Sequence, residues 1–504
     1  MVQKLCRIPR WKFFCVAFAL CLLVFGFAGV MDNYYNGDTY FILATGRYIT
    51  ENGLPETNPF VIHEGLEMPV HQWLYDVCVY RAYSLLGVDG LIAAAMLLFC
   101  LLIGSSFLYV RQFTRHFPLQ LITTTALLWG FRPWLSLRPT FLSMSIFMLM
   151  QCCFWQYRNT GKKLWLCPPV LFSVVEVNFH TSLWIMGPVL MLPHLLPATL
   201  PKKGAWKDWL SDWRRDCVPL LICFVAVIAA GFANPYGWKG MLYPLLSYGV
   251  VTNDISIHEL AAPAVLSWDG ILIFAAMFLF VFHLREKKLH QIDVRLSALL
   301  LGTAFLSAMH IRNIWFLLIG AIPTLMPLLD RWITGMEVRK ANVITEENPD
   351  EKELRTQLVF RLEILVVAAV LLGVGFSTIR FPRSGPGSQT PAGAADYLDT
   401  LDKEDIVLYT GFNNGAYMEW RGYKGYMDAR PEIYSKKLNG TKDVLAEYCT
   451  ILDGSADYAV WLEEYQFTHL LVYENCLNAY LQARDDYIIV WQDGTNTLYE
   501  RADF

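Results

Sequence analysis

Long apolar runs separated by short polar loops fill the first three-quarters of the chain, after which the pattern changes. A helix needs about 17–25 mostly apolar residues to cross the bilayer core. On that criterion the sequence predicts about eleven crossings, at 13–30, 90–110, 118–131, 140–156, 164–177, 182–197, 217–233, 270–284, 296–311, 313–329 and 358–378. The first run follows Lys4, Arg7, Arg10 and Lys12, and Met31-Asp32-Asn33-Tyr34 after it offers no small-residue cleavage pattern. It therefore predicts a retained signal anchor. The runs near 118–131 and 140–156 are short and fit broken, tilted or re-entrant helices. Between the first two crossings, a loop over 31–89 holds two stretches, 39–50 and 73–86, with apolar residues at helical spacing and polar faces. They predict helices lying in the interface, with Tyr34, Tyr35, Tyr40, Trp73 and Tyr75 suited to an aromatic belt.

Past Ser384-Gly-Pro-Gly-Ser388, a flexible joint, the runs shorten. Ile406–Tyr409, His469–Tyr473 and Tyr487–Trp491 read as strands, and 391–402, 440–451 and 457–465 as helices. The organisation expected is a membrane domain over 1–378, a linker over 379–390 and a small α/β domain over 391–504.

Composition supports this division. Hydrophobic residues make up 55% of the 504 and charged residues 17%, too little polar surface to wrap several water-soluble cores. A net charge of −4 gives no global basic field, so nucleic acid is not an expected partner. Twelve cysteines contain no CxxC pair that would signal zinc or redox chemistry. Basic residues sort by loop. Arg111, Arg115, Arg158, Lys162, Lys163, Lys202, Lys203, Lys207, Arg214, Arg215, Arg285, Lys287, Lys288, Arg295, Arg331, Arg339, Lys340, Lys352 and Arg355 share one parity, while the other holds only Arg47, Arg81, Arg132, Arg138, Lys239 and Arg312. The positive-inside rule then predicts a cytoplasmic N-terminus in a multi-pass protein of the cell membrane, with the C-terminal domain extracytoplasmic. Cys449 and Cys476 would face the oxidising side, as a disulfide or as two buried thiols.

Polar residues collect on the outer side. Asp38 stands just beyond the anchor, either as the N-cap of the 39–50 helix or as a base for an acceptor hydroxyl, two roles that are compatible. Arg132 and Arg138, then Glu176, Asn178 and His180, the Asn234-Pro-Tyr-Gly237 stretch, His258 and Glu259, and His310 and Arg312 follow on the same face. Ionisable groups near membrane depth usually face a bundle interior or a wet cavity and mark function. Arginine beside a carboxylate there suggests a phosphate-bearing lipid, because guanidinium binds phosphate through paired charge-assisted hydrogen bonds. His71, His180, His258 and His310 offer an alternative, a metal held with Asp38 or Glu259. No local ligand spacing supports a divalent ion, and no metal ligands are assigned.

Some of these residues also carry a family pattern. Asp38-Thr-Tyr-Phe-Ile-Leu-Ala-Thr-Gly46-Arg-Tyr-Ile49, then Pro55-Glu-Thr-Asn58-Pro-Phe60 and His71-Gln-Trp73-Leu74, resemble the first outer loop of bacterial membrane proteins related to the GT-C glycosyltransferases. The resemblance continues through Arg138-Pro139, Asn178-Phe-His180, Asn234-Pro-Tyr-Gly237 and Glu259 to Asn414–Trp420 and Asp428-Ala-Arg430 in the tail. Where those proteins have a tryptophan–histidine pair and an aspartate, this chain has Tyr40 with Phe41, and Asn58. It also has no paired acidic motif, since Asp32 precedes Asp38 by six residues.

The resemblance implies a GT-C architecture and transfer of a sugar from a polyprenyl-phosphate-linked donor, usually with inversion. The acceptor would be an envelope glycan, lipid or protein at the outer face. Asp38 would be the catalytic base, with Arg138 and Arg312 for phosphate contact and His71, Asn178, His180 and Glu259 lining the site. Trp73 and Trp134 would stack on sugar or pack on lipid. Trp420, Asp428 and Arg430 would serve the acceptor, or form a structural Asp–Arg turn. The rival readings are a non-catalytic protein that binds or presents a lipid-linked precursor, and a transporter, which the missing inverted repeats disfavour.

Overall fold

A computed structural model of the chain describes residues 37–199, 201, 206–247, 261–285, 293–343 and 390–504. The signal anchor at 13–30, the crossing at 358–378, residues 379–389 of the linker, and His258 with Glu259 lie outside them.

The apolar runs become helices. After α1 (Gly37–Asn52) and α2 (Trp73–Leu86) come α3 (Val88–Arg111), α4 (Phe117–Phe131), α5 (Thr140–Thr160), α6 (Cys167–Phe179), α7 (Met186–Leu195) and α8 (Trp206–Ala230). Then follow α9 (Trp238–Ser247), α10 (Trp268–Arg285), α11 (Val294–Met309) and α12 (Ile314–Val343). Among the described residues, 3 stretches are long and apolar enough to cross a bilayer by length and composition: Val88–Arg111, Trp268–Arg285 and Ile311–Gly335. The others fall short for local reasons. Helix α4 has only 15 residues and α6 only 13, each entered through proline, which suits a first helical turn and fixes where the helix starts. Helix α5 is long enough at 21 residues but carries Ser143, Ser145 and Gln151 among its buried positions.

Helix α5 lies at the centre, with Phe141, Met144, Phe147, Met148 and Phe154 all enclosed, and it packs on α3, α6 and α7. Helices α10, α11 and α12 pack together, and α11 meets α7 while α12 meets α4. Outward faces are greasy: Phe278 is 73% exposed, Phe305 67% and Ile222 66%. Water would not favour so much open apolar surface, and lipid would.

Residues 390–504 form a four-stranded sheet, in the order β1–β2–β4–β3, from β1 (Leu408–Thr410), β2 (His469–Val472), β3 (Tyr487–Gln492) and β4 (Thr497–Arg501). β1 runs parallel to β2, pairing Leu408 with His469, and β4 is antiparallel to both of its neighbours. β1 and β2 are buried throughout, Thr410 and His469 included. Helices Ala392–Leu398, Gly415–Trp420, Val444–Asp453, Tyr458–Tyr465 and Asn475–Gln482 flank the sheet. Cys449 and Cys476, on the last helix but two and the last, are not joined in a disulfide.

One expectation is corrected. Helix α1 does not lie in the interface with one polar face, because its successive residues Thr39 to Gly46 are all buried. The C-terminal unit covers it. The ring of Tyr417 meets that of Tyr40 edge-on at 4.8 Å, and Gly425 exchanges backbone hydrogen bonds of 3.0 Å with Phe60 and Ile62 in the loop after α1. Tyr40 and Tyr75, each 2% exposed, are therefore core residues and not part of an aromatic belt.

Candidate functional site at one end of the bundle

The connections α4–α5, α6–α7, α8–α9 and α11–α12 alternate along the chain and emerge at the same end of the helices, where α1 and the C-terminal unit sit. Asp38 occupies the first turn of α1. Arg138 stands in the α4–α5 turn, its N–H donating to the Ser136 carbonyl at 2.6 Å, directly before the proline that opens α5. Its guanidinium pairs with the Asp38 carboxylate, with side chains 39% and 20% exposed. The pair is thus open on one side to solvent or ligand.

His180 breaks α6 with φ −155°. Its Nδ1 lies 2.7 Å from Ser143 Oγ on α5. Burial first, then the charges of His71, Arg312 and Arg138, hold its pKa well below the ordinary value. His71 stacks on Tyr243 with ring centroids 5.0 Å apart, and its carbonyl accepts the Thr181 N–H at 2.8 Å. Burial, followed by Arg430, pushes His71 down to about 4. Both imidazoles are therefore neutral at pH 7, and the positive charge of the site resides on arginine. Arg312 lies in the Ile311–Asn313 turn between α11 and α12, and its charge reaches both histidines. Two neutral rings beside Arg138 and Arg312, with one partly exposed carboxylate, make a place for an anion.

Several other expected site residues are engaged with the protein itself. Trp73 Nε1 donates to Asn178 Oδ1 at 3.0 Å, and Asn178 Nδ2 donates to the carbonyls of Val174 and Ala233 at 2.8 and 2.7 Å. Asn178 thereby ties α2 to α6 and to the α8–α9 turn. In that turn Asn234 Oδ1 accepts the Tyr236 N–H at 2.9 Å while its Nδ2 donates to the Gly231 and Gly237 carbonyls, so the Asn-Pro-Tyr-Gly stretch is a self-bonded turn. Asp428 and Arg430 are 0% and 5% exposed and belong to a buried ion cluster with Glu419. Burial opposes the charge of Asp428, yet Arg430 holds its carboxyl down at about 2, whereas burial drives Glu419 well above its ordinary range. Trp420 lies under Arg47, whose guanidinium is 4.6 Å from the ring centroid. Glu259 is outside the described residues.

Two buried carboxyls also stand at this end, Asp76, which the sequence reading did not single out, and Glu176, which it did. Asp76, 1% exposed, accepts from Gln72 Nε2 at 2.7 Å, and burial pushes it well above the usual carboxylate range. Its signal in the sequence is the four-residue spacing from Gln72, one turn of α2. Glu176 is also 1% exposed, and neither carboxylate oxygen has a hydrogen-bond partner. In the sequence it stands out with Asn178 and His180 as a polar group at the end of an apolar run. Among the described residues no cluster of three His, Cys, Asp or Glu side chains is placed to hold a metal.

No known protein family and no curated protein matches the sequence. Solved structures do match the fold. The oligosaccharyltransferase AglB of Archaeoglobus fulgidus, in complex with an inhibitory peptide and a dolichol-phosphate, is similar with a TM-score of 0.59 at 9% identity, over 92% of this chain and 69% of that one. ArnT from Cupriavidus metallidurans in the apo state gives 0.53 at 13% identity, over 97% of each chain. The same protein bound to undecaprenyl phosphate gives 0.51, again at 13% identity and 97% of each. The chain thus shares the overall fold of AglB and ArnT.

Proposed function

We propose that the chain is a membrane glycosyltransferase that moves a sugar from a polyprenyl-phosphate-linked donor to an envelope glycan, lipid or protein at the extracytoplasmic face. The observation that carries this reading is the partly exposed Asp38–Arg138 pair, set beside Arg312 and two neutral histidines. That arrangement contains a base and an anion clamp and little else. The two structures bound to dolichol-phosphate and undecaprenyl phosphate support the donor class, and the sorting of basic residues supports the sidedness, with the N-terminus cytoplasmic, about eleven crossings and the C-terminal unit outside.

The chemistry follows from charge. In the resting site Arg138 neutralises Asp38 and makes it a poor base. A donor phosphate competes for the same guanidinium through paired charge-assisted hydrogen bonds, with Arg312 as the second clamp, and frees the carboxylate. Asp38 then takes the acceptor hydroxyl proton as the new carbon–oxygen bond forms. The glycosyl–phosphate bond breaks with its electron pair going to phosphate, whose growing charge the arginines stabilise. Attack opposite the leaving phosphate inverts the anomeric carbon. His71 and His180 supply neutral walls, and the Trp73–Asn178 hydrogen bond supports them from behind.

The test is binding of undecaprenyl phosphate to the purified protein in nanodiscs. A charge-assisted hydrogen bond contributes about 1.5–3 kcal/mol, so Arg138→Gln and Arg312→Gln should each weaken binding by roughly ten- to a hundredfold. Unchanged affinity in both variants would remove the phosphate clamp, and the proposal with it.

A further inference from the structure

The acceptor role expected for Arg430 does not fit its surroundings, which point to a different use. Arg430 is 5% exposed, and its fork is fully engaged. Nη2 donates to Glu419 Oε1 and Oε2 at 3.0 and 2.9 Å, Nε lies 3.1 Å from both Asp428 oxygens, and Nη1 donates to Thr45 Oγ1 at 3.1 Å. The Tyr434 hydroxyl also donates to Asp428 Oδ2 at 2.7 Å. The guanidinium carbon also sits over two rings, 5.2 Å from Phe41 and 5.5 Å from Phe60.

Three of these facts fall on one line. Asp38, Phe41 and Thr45 are at i, i+3 and i+7 of α1, a single stripe along one helix face. Arg138 holds the stripe at Asp38, and Arg430 holds it at Phe41 and Thr45, one and two turns on. The helix cannot rotate about its axis without breaking the Thr45 bond or moving Asp38 away from Arg138. A guanidinium so anchored is a fixed point, because its planar fork is held by both Asp428 and Glu419.

We infer that Arg430 is a positioning residue: through Thr45 and Phe41 the C-terminal unit sets the rotation of α1, and thereby the placement of Asp38 against Arg138. The unit is then a working part of the site instead of an acceptor platform. The chemical role of Asp38 rests on the proposed function; the mechanical claim about α1 does not.

The test uses Thr45→Val, which removes one hydrogen bond at nearly constant volume, in the full-length protein in nanodiscs. Two readouts are taken. Amide hydrogen exchange over 37–52 should rise about tenfold in Thr45→Val while α11 and α12 are unchanged, since helix openings report local stability. Undecaprenyl phosphate affinity should shift in the same direction as in Asp38→Asn, two- to fivefold, with no added shift in the double variant, because sites acting through one element are non-additive. Unaltered exchange in α1 would overturn the inference, and so would a Thr45→Val affinity shift that persists in full on the Asp38→Asn background. A general packing defect would lower the melting temperature without moving phosphate affinity, which also counts against it. If the parent protein fails to bind undecaprenyl phosphate, the proposed function falls while hydrogen exchange still decides the mechanical claim. Arg430→Lys, which keeps the charge and loses the fork, should reproduce the Thr45→Val exchange pattern.

Discussion

Asp38→Asn should abolish sugar transfer while leaving the donor lipid bound at least as tightly as before. Removing a general base costs about 10²–10⁴ in rate. The same change deletes the group that competes with phosphate for Arg138. A partly exposed ion pair such as this one is worth on the order of 1 kcal/mol, so undecaprenyl phosphate should bind up to about fivefold more tightly. The two effects have opposite signs, and a loss of folding would not produce that combination. Comparing envelope glycans in cells carrying either form, alongside binding to the purified proteins, reads both. Intact glycans in the variant would favour the rival reading, a protein that binds or presents a lipid-linked precursor without chemistry.

The second large effect concerns Gly46, the glycine of the Gly46-Arg47-Tyr-Ile49 stretch. A Cβ built there would lie 2.2 Å from the Asp76 carbonyl oxygen and 2.6 Å from Tyr80 Cβ. The obstacle is the backbone of α2, which cannot swing aside as a side-chain tip does. Gly46→Ala should therefore destabilise the protein by about 1–3 kcal/mol or more, the usual range for overpacking, and should push α1 away from α2. Thermal unfolding in detergent measures the first, and transfer activity, which should fall with it, the second. Gly104→Ala, where an added Cβ meets nothing within 4 Å, is the control and should leave stability intact or slightly raised. A melting temperature for Gly46→Ala equal to that of the parent would show that the α1–α2 contact is looser than the geometry indicates.

Legibility in the sequence followed the range of the interaction. The apolar periodicity located α2 at Trp73–Leu86 and α3 at Val88–Arg111 to within a few residues, because each buries its own face or meets lipid along its length. The strands with unbroken apolar runs, β2 and β3, were equally visible. β4, Thr497–Arg501, was not, since Glu500 and Arg501 break its pattern and only pairing with β2 and β3 makes it a strand. Nor was the burial of α1, whose polar residues looked solvated until the C-terminal unit covered them. In the site, Asp38, Arg138, His71, His180 and Arg312 stood out as charge or imidazole where lipid-facing chain should be apolar. The same criterion also flagged Asn178 and Asn234, which satisfy backbone carbonyls at turns; an amide and a carboxylate look alike when only their polarity is seen. The Arg430–Thr45 bond joins residues 385 apart in sequence, a distance at which no local pattern speaks.

The central claim is that a lipid phosphate is held by Arg138 and Arg312 beside Asp38. It is tested most directly by determining the structure of the protein in nanodiscs with undecaprenyl phosphate bound. The phosphate is predicted within hydrogen-bond reach of both guanidiniums, with the Asp38 carboxylate drawn off Arg138. A phosphate seated at the opposite end of the helices, near Arg158 and Arg295, would contradict it.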